Sequence, residues 1–309
     1  MRNRFLLVWI LLLTLLAASA CERDRPASSG QGDETAPEPI LAYTHLPDDF
    51  FEAAEGETLR ERVLARFRKL DDIRYFLPEE AKIEPQAGDR SLLPAFFKLT
   101  SLNAYQTGTH WPMRGLMYRA DSNTTVTDFL YALDENGLYT GPTDEDYLGI
   151  NSLTAVSYGW SEIDRGFVAK TAEDLLPSDT NRIEKVGGYE LFDASSSAEI
   201  TAKNGKDTMF EAYKAMKPGD ILLTYQEGSA YALLAEQVYE DKLSFYTYYP
   251  TCYNQIDGIP TGVSDMSDYL GVNLLQHSRS DGGYAPNDTT FDELYDGHFI
   301  PLTHEALEK

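Results

Sequence analysis

Lys217-Pro218-Gly219-Asp220-Ile221-Leu222-Leu223-Thr224-Tyr225 joins a turn to a strand. Adjacent Pro and Gly stop any helix that reaches them, and the short apolar run from Ile221 is what a strand with both faces covered looks like. Two further runs of this kind follow at 231–238 (YALLAEQV) and 243–249 (LSFYTYY). The gaps between the three are only a few residues, too short for a crossover helix, so antiparallel hairpins are expected. Immediately upstream, 207–216 reads as a helix that ends at the turn.

Working back along the chain, Tyr147-Leu148-Gly149-Ile150-Asn151-Ser152-Leu153-Thr154-Ala155-Val156-Ser157-Tyr158-Gly159-Trp160 mixes small and apolar residues at helical spacing. Gly149 and Asn151 are entry signals, and a helix is expected over 151–164. Its small side chains allow a sheet to approach closely. A helix followed by a strand meander predicts an α+β fold, with a central helix packed on an antiparallel sheet. A second amphipathic helix is expected over 57–70, where Leu59, Val63, Leu64, Phe67 and Leu70 share one face. Residues 71–120 read as irregular, interrupted by Pro78, Pro85, Pro94 and Pro112, and a short helix is expected over 128–133.

These stretches resemble the NlpC-type family of cell-wall peptidases, which have a papain-like fold. Family members carry a Gly-Φ-Asp-Cys-Ser-Gly-Φ-Val signature, with Φ apolar, at the start of the central helix; Gly149-Ile150-Asn151-Ser152-Leu153-Thr154-Ala155-Val156 occupies the same register. The family's Pro-Gly-Asp turn into a strand is matched by Pro218-Gly219-Asp220-Ile221, and Tyr118 sits where the family often has a Tyr lining the oxyanion region. The resemblance covers roughly 110–250 and implies a papain-like domain over 110–309. It also shows where this chain departs. Ser152 stands at the nucleophile position, Asn151 replaces the preceding Asp, and the base position falls on Ala230 or Tyr231.

Those departures matter chemically. A Cys at a helix N-terminus has its thiolate favoured by the helix dipole and a neighbouring His. A serine hydroxyl gains too little from a dipole to ionise and needs a base within hydrogen-bond reach. Ser152 without that base is an unactivated alcohol, and its plainest role is that of an N-terminal helix residue bonding local backbone. A relocated base would have to come from His45, His110, His277, His298 or His304, of which His110 and His277 are the least peripheral in sequence. Cys252, after a strand and beside Pro250, lacks the helix start that a nucleophile would use. Asp281, Asp288, Asp292 and Asp296 lack the ligand spacing and turn glycine of a calcium loop. No cofactor or metal is expected.

The first residues concern address rather than fold. Met-Arg-Asn-Arg, an apolar run over 5–16 and Ala18-Ser19-Ala20 before Cys21 read as a secretory signal over 1–20. The run is shorter than the ~20 residues of a membrane span. Small residues directly before a Cys resemble a lipobox, which implies a lipid on Cys21 and export to a bacterial membrane surface. Residues 21–40, rich in Ser, Gly, Pro, Asp and Glu, are expected to be a flexible tether. Residues 41–109 are expected to form an N-terminal extension. The net charge of −24 argues against nucleic acid, whose phosphates need a basic footprint.

Three readings follow from the sequence. The first is a lipid-anchored, non-catalytic domain that binds a peptidoglycan-derived peptide or a protein partner in a groove formed by Tyr118, Asn151, Ser152, Tyr158 and Trp160. The second is an active cell-wall amidase or peptidase using Ser152 with a relocated His. The third is a structural interaction lipoprotein.

Overall fold

In the computed structural model, which describes residues 50, 52–83, 86, 113–249, 273–274, 276–278 and 284–309, the 217–220 turn ties a helix to a sheet. The signal over 1–20, Cys21, the 21–40 tether, His45, His110, Cys252 and Asp281 lie outside the described residues, as do the side chains of His277 and Asp288.

Helix α1 (Leu59–Arg68) begins with a capping box in which Thr58 and Glu61 each accept the other's backbone N–H. It continues as a 3₁₀ turn over Lys69–Asp72. Strands β1 (Arg74–Tyr75) and β2 (Met113–Arg114) pair antiparallel. The short α2 (Val126–Tyr131) has a second capping box, Thr125 with Asp128, and so starts two residues before the expected helix. The central helix, α3, spans Ser152–Trp160 with Asn151 as N-cap. It ends earlier than expected because Ile163 N–H turns back to the Trp160 carbonyl at 2.8 Å, tightening the last turn. After it come α4 (Ala172–Leu175), β3 (Ile183–Lys185), α5 (Ser197–Asn204) and α6 (Lys206–Ala215).

Three strands then run as the sequence predicts: β4 (Ile221–Gln226), β5 (Ser229–Val238) and β6 (Lys242–Tyr249), joined antiparallel. Strands β7 (Asn273–Leu274), β8 (Gln276–Ser278) and β9 (Tyr284–Thr290), helix α7 (Phe291–Asp296), β10 (Ile300–His304) and a 3₁₀ turn over Glu305–Glu308 complete the described elements. The sheet order is β3-β10-β4-β5-β6-β9-β8, with β7 added on β6, and every pairing is antiparallel. The fold is therefore a mixed α+β arrangement of helices and antiparallel sheet.

Strand β10 was not foreseen. Ile300-Pro301-Leu302-Thr303-His304 carries a Pro, which removes a ladder donor and normally marks an edge strand. Here Pro301 turns its peptide edge toward β3, accepting from Val186 N–H at 3.0 Å, just beyond the last paired residue, Lys185 with Leu302. The missing N–H thus falls where the ladder has already ended. Opposite, Leu302 pairs with Ile221 and Ile300 with Leu223.

The central helix is buried on nearly every side; of its residues only Tyr158 is partly exposed. Such a helix needs small side chains wherever backbone comes close. Gly159 is one such place: a Cβ there would lie 3.4 Å from both Phe67 Cβ and the Val63 carbonyl oxygen of α1. The packing of α1 onto α3 buries Val63, Phe67 and Leu70 completely, each worth roughly 1.5–3 kcal/mol over an exposed position. Helix α1 shares one core with the sheet and the central helix, in a compact unit running from Ala42 to Lys309.

Polar ties reinforce that packing. Arg66 donates Nε to Glu162 Oε1 at 2.6 Å and Nη1 to the Phe50 carbonyl at 2.9 Å, while Glu162 also accepts Ala54 N–H. Arg60 donates to Asp220 Oδ1 at 2.8 Å and to the Pro218 carbonyl at 2.7 Å. Asp220, almost wholly buried, also accepts from Thr303 Oγ1 at 2.6 Å and from Lys217 N–H. Burial raises its carboxyl above the ordinary value, outweighing the opposing pull of Arg60. The Trp160 indole N–H donates to the Gly219 carbonyl at 2.9 Å. The turn that punctuates the sequence is thus a junction between α1, α3 and β10.

Candidate functional site

Asn151 occupies the N-cap of the central helix with every polar atom of its side chain engaged. Its Oδ1 accepts N–H from Leu153 at 3.1 Å and Thr154 at 3.0 Å; its Nδ2 donates to the carbonyls of Ala120 and Ser122, both at 3.2 Å. This explains the amide in place of an acid: two carbonyl oxygens face the side chain, and a carboxylate would meet them with no donor. Just before the cap, Ile150 bridges Tyr118, with Ile150 N–H donating to Met117 O and Arg119 N–H to Ile150 O.

Ser152, the first residue of the helix, is 1% exposed. Its Oγ accepts the backbone N–H of Ala232 in β5 at 3.0 Å. The ladder between β5 and β6 begins at Leu233 with Thr247, so the serine hydroxyl takes up a strand donor one residue before that ladder starts. The helix start and the strand are therefore stitched together by the side chain at the nucleophile-equivalent position. Ala230 and Tyr231, the base-equivalent positions, pair with Tyr225 and Thr224 on β4 and bring no proton acceptor of imidazole type.

The other residues expected in a groove do not gather into one surface. Tyr118 is buried, and that burial keeps its phenol protonated far above neutrality. Trp160 is fully buried at the opposite end of the helix, pointing to Gly219. Only Tyr158 reaches an open space. It lines a cavity of about 280 Å³ with Arg66, Thr125, Thr154, Ser157 and Phe167. Its ring stacks on Phe50 at 5.7 Å and carries the Arg66 guanidinium 5.5 Å from its centroid; burial pushes its phenol up to about 12 against the pull of Arg66. The physical reason for the dispersal is helical: positions 152, 158 and 160 point in different directions round α3, and a helix packed on all sides presents no continuous face.

No family model, curated protein or solved structure matches this chain. What the site does must therefore come from its own chemistry.

Two histidines have described side chains, and neither bonds to Ser152. His298 Nδ1 lies 3.1 Å from Thr201 Oγ1. His304 is buried against Trp160, ring centroids 5.9 Å apart, at the far end of the central helix. Eight residues of helix separate Ser152 from Trp160, about 12 Å at 1.5 Å per residue. Among the described residues there is no cluster of three or more His, Cys, Asp or Glu able to hold a metal ion, and no helix long and apolar enough to cross a membrane.

A second, larger cavity of about 850 Å³ opens beside His304 and was not foreseen from sequence. Arg165, Phe167, Glu173 and Arg182 line it, contributed by the loop after α3, by α4 and by the residue preceding β3. These positions span 140 residues of chain without a shared motif, and no sequence signal joins them.

Proposed function

We propose that this chain is a lipid-anchored cell-envelope protein, tethered through Cys21, whose papain-like, NlpC-type domain binds a peptide derived from peptidoglycan and does not cleave it. The single observation that carries this reading is the Ser152 hydroxyl. It is enclosed, and it accepts the N–H of Ala232 where a nucleophile would need to be open and face a base. Support also comes from the central helix set against an antiparallel sheet, and from the Pro218-Gly219-Asp220 turn feeding the strand next to β5. An enclosed serine with no base bonded to its hydroxyl is unactivated and gives no acyl transfer. The resemblance that suggests the papain-like frame is the same one that suggests a cell-wall ligand.

The experiment is to incubate the protein with purified cell wall and with soluble muropeptides, measuring released fragments and retained protein beside a Ser152→Ala variant. Retention without cleavage, in both proteins, is the expected result. Cleavage that disappears in the variant would overturn it and restore the hydrolase, and the absence of both retention and cleavage would leave a protein partner as the ligand.

A further inference from the structure

The cavity beside His304 carries three donors that the fold itself leaves unused. The first is the His304 ring. Its Nδ1 accepts the Ala306 N–H at 3.1 Å, which fixes the neutral tautomer with the proton on Nε2. That Nε2–H has no protein partner among the described residues, yet it is not among the sealed, unsatisfied atoms of the interior. With the residue 6% exposed and lining this cavity, the N–H opens into it. Trp160 packs edge-on to the imidazole, ring centroids 5.9 Å apart, and Phe167 lies 5.5 Å from Trp160.

The second and third donors are the guanidinia of Arg165 and Arg182. Neither makes an ion pair or side-chain hydrogen bond with any described residue, although the chain carries a net charge of −24. Arg182 also has φ of 54°, in the left-handed region that non-glycine residues rarely occupy. The conformation is held from both sides: Asn181 Oδ1 accepts Ile183 N–H at 3.1 Å, and the Arg182 carbonyl accepts Glu305 N–H at 3.0 Å. A strained residue locked at a cavity rim is a mark of function when other observations agree.

Two of the three acids in the same lining are turned to local backbone. Asp174 directs its carboxylate to the N–H groups of Lys170 and Thr171, both at 2.9 Å, and Asp164 accepts Gly166 N–H at 2.9 Å. Glu173 is the acid left facing outward. Two guanidinia and an imidazole N–H thus share the cavity with three carboxylates, two of them tied to local backbone, a mixed lining that suits a small ligand carrying both a carboxylate and an ammonium. A volume of about 850 Å³ lies within the usual range for small-ligand sites.

We propose that this cavity binds a short peptide with free termini, its terminal carboxylate held by Arg165, Arg182 and the Nε2–H of His304. The site is distinct from Ser152 and lies at the other end of the central helix. The inference rests on the peptide-binding reading above and names where that binding takes place. Guanidinium and carboxylate meet through paired, charge-assisted hydrogen bonds, so removing one guanidinium or neutralising the ligand's carboxylate should each weaken binding strongly.

The test uses the full-length protein in detergent and equilibrium dialysis with radiolabelled alanyl-alanine, against its C-terminal amide. The acid is expected to be retained at least tenfold better than the amide. Arg182→Asn, which tolerates the left-handed backbone, and Arg165→Gln should each lower retention tenfold or more while melting as the wild type does; Lys214→Gln, on the exposed side of α6, should change nothing. Equal retention of acid and amide, unchanged retention in Arg182→Asn, or no retention by the wild type overturns the assignment. Cell-wall fragments held equally by wild type and Arg182→Asn would also overturn it while leaving the peptide-binding function intact. Dipeptide bound here without any affinity for wall fragments would uphold the cavity and remove the peptidoglycan ligand instead.

Discussion

Replacing Ser152 by Ala separates a structural hydroxyl from a catalytic one. In the native protein the Oγ fills a closed position and accepts Ala232 N–H at 3.0 Å. Alanine removes that acceptor from the closed position. A buried donor stripped of its partner costs about 1–3 kcal/mol, the desolvation penalty of the orphaned group. For a compact unit of this size each kcal/mol shifts the melting temperature by about 2–4 °C, so a fall of roughly 2–12 °C is expected by circular dichroism. A catalytic serine would behave in the opposite way, losing turnover with little change in melting, because active-site hydroxyls seldom contribute to stability. A companion variant, Ser152→Cys, places a thiol at the nucleophile position. Enclosed as it is, that thiol should stay unreactive to iodoacetamide in the folded protein and react only in urea. An alanine variant that melts with the wild type, or a cysteine variant alkylated at once under native conditions, would refute the stitching role and with it the main support for a non-catalytic site.

Other consequences can be measured on the same purified protein. Asn151→Asp exchanges a donor for an acceptor against the Ala120 and Ser122 carbonyls; about 2–4 kcal/mol should be lost, offset by less than ~1 kcal/mol from a negative charge at a helix start, and a urea midpoint equal to wild type at pH 7 would contradict it. His304 has its imidazole pushed below its ordinary 6.5 by burial and then by Arg182, with Glu305, Asp164 and Glu184 opposing. A depressed folded value means stability is present above 6.5 and lost as pH falls through the window beneath it; melting curves from pH 7.5 to 5 should show a decline that is shallower in His304→Gln, and parallel declines would count against it. Gly187, at φ of 82°, would set a Cβ 2.7 Å from Ala212 Cα, whereas Gly205, at 78°, has nothing within 4 Å. Alanine at Gly205, whose ψ of 162° lies in a region almost exclusive to glycine, carries about 1–3 kcal/mol of backbone strain with no packing cost, whereas Gly187→Ala adds an overpacking cost of about 1–3 kcal/mol to its positive-φ strain, so a Gly187→Ala midpoint equal to wild type would refute the close approach.

The legible parts of the fold are those whose signal is local. Strands β4, β5 and β6 follow one another at hairpin spacing, and Pro218-Gly219 stops α6, so order and direction follow from neighbouring residues. The amphipathic stripe of α1 was equally plain, but its destination was not. Nothing in Leu59–Arg68 says that Gly159 will admit it or that Arg60 will reach Asp220. Strand β10 stayed hidden because its Pro argues for an edge, and only the early end of β3 makes a Pro harmless there. At the candidate site, Asn151 and Ser152 could be read as a helix start because capping is a property of adjacent residues. That Ser152 would meet Ala232 depends on where the β5–β6 ladder begins, which is tertiary information. The cavity of Arg165, Arg182 and His304 draws on segments far apart in the chain, and each residue alone reads as an ordinary surface cation or packing histidine.

The place of β10 in the sheet also constrains the order in which the protein can mature. Ile300–His304 follows every other strand in the sequence, yet it lies between β3 and β4. On a growing chain the hairpins of β4, β5 and β6 are available long before it. Until residue 300 emerges, Ile221–Leu223 present an unpaired row of N–H and C=O groups, and Asp220 waits for Thr303. A half-made chain is consequently a substrate for chaperones and for edge-to-edge aggregation. A stop codon after β6 and before residue 300 should yield an insoluble product, because the β4 edge is then left uncovered.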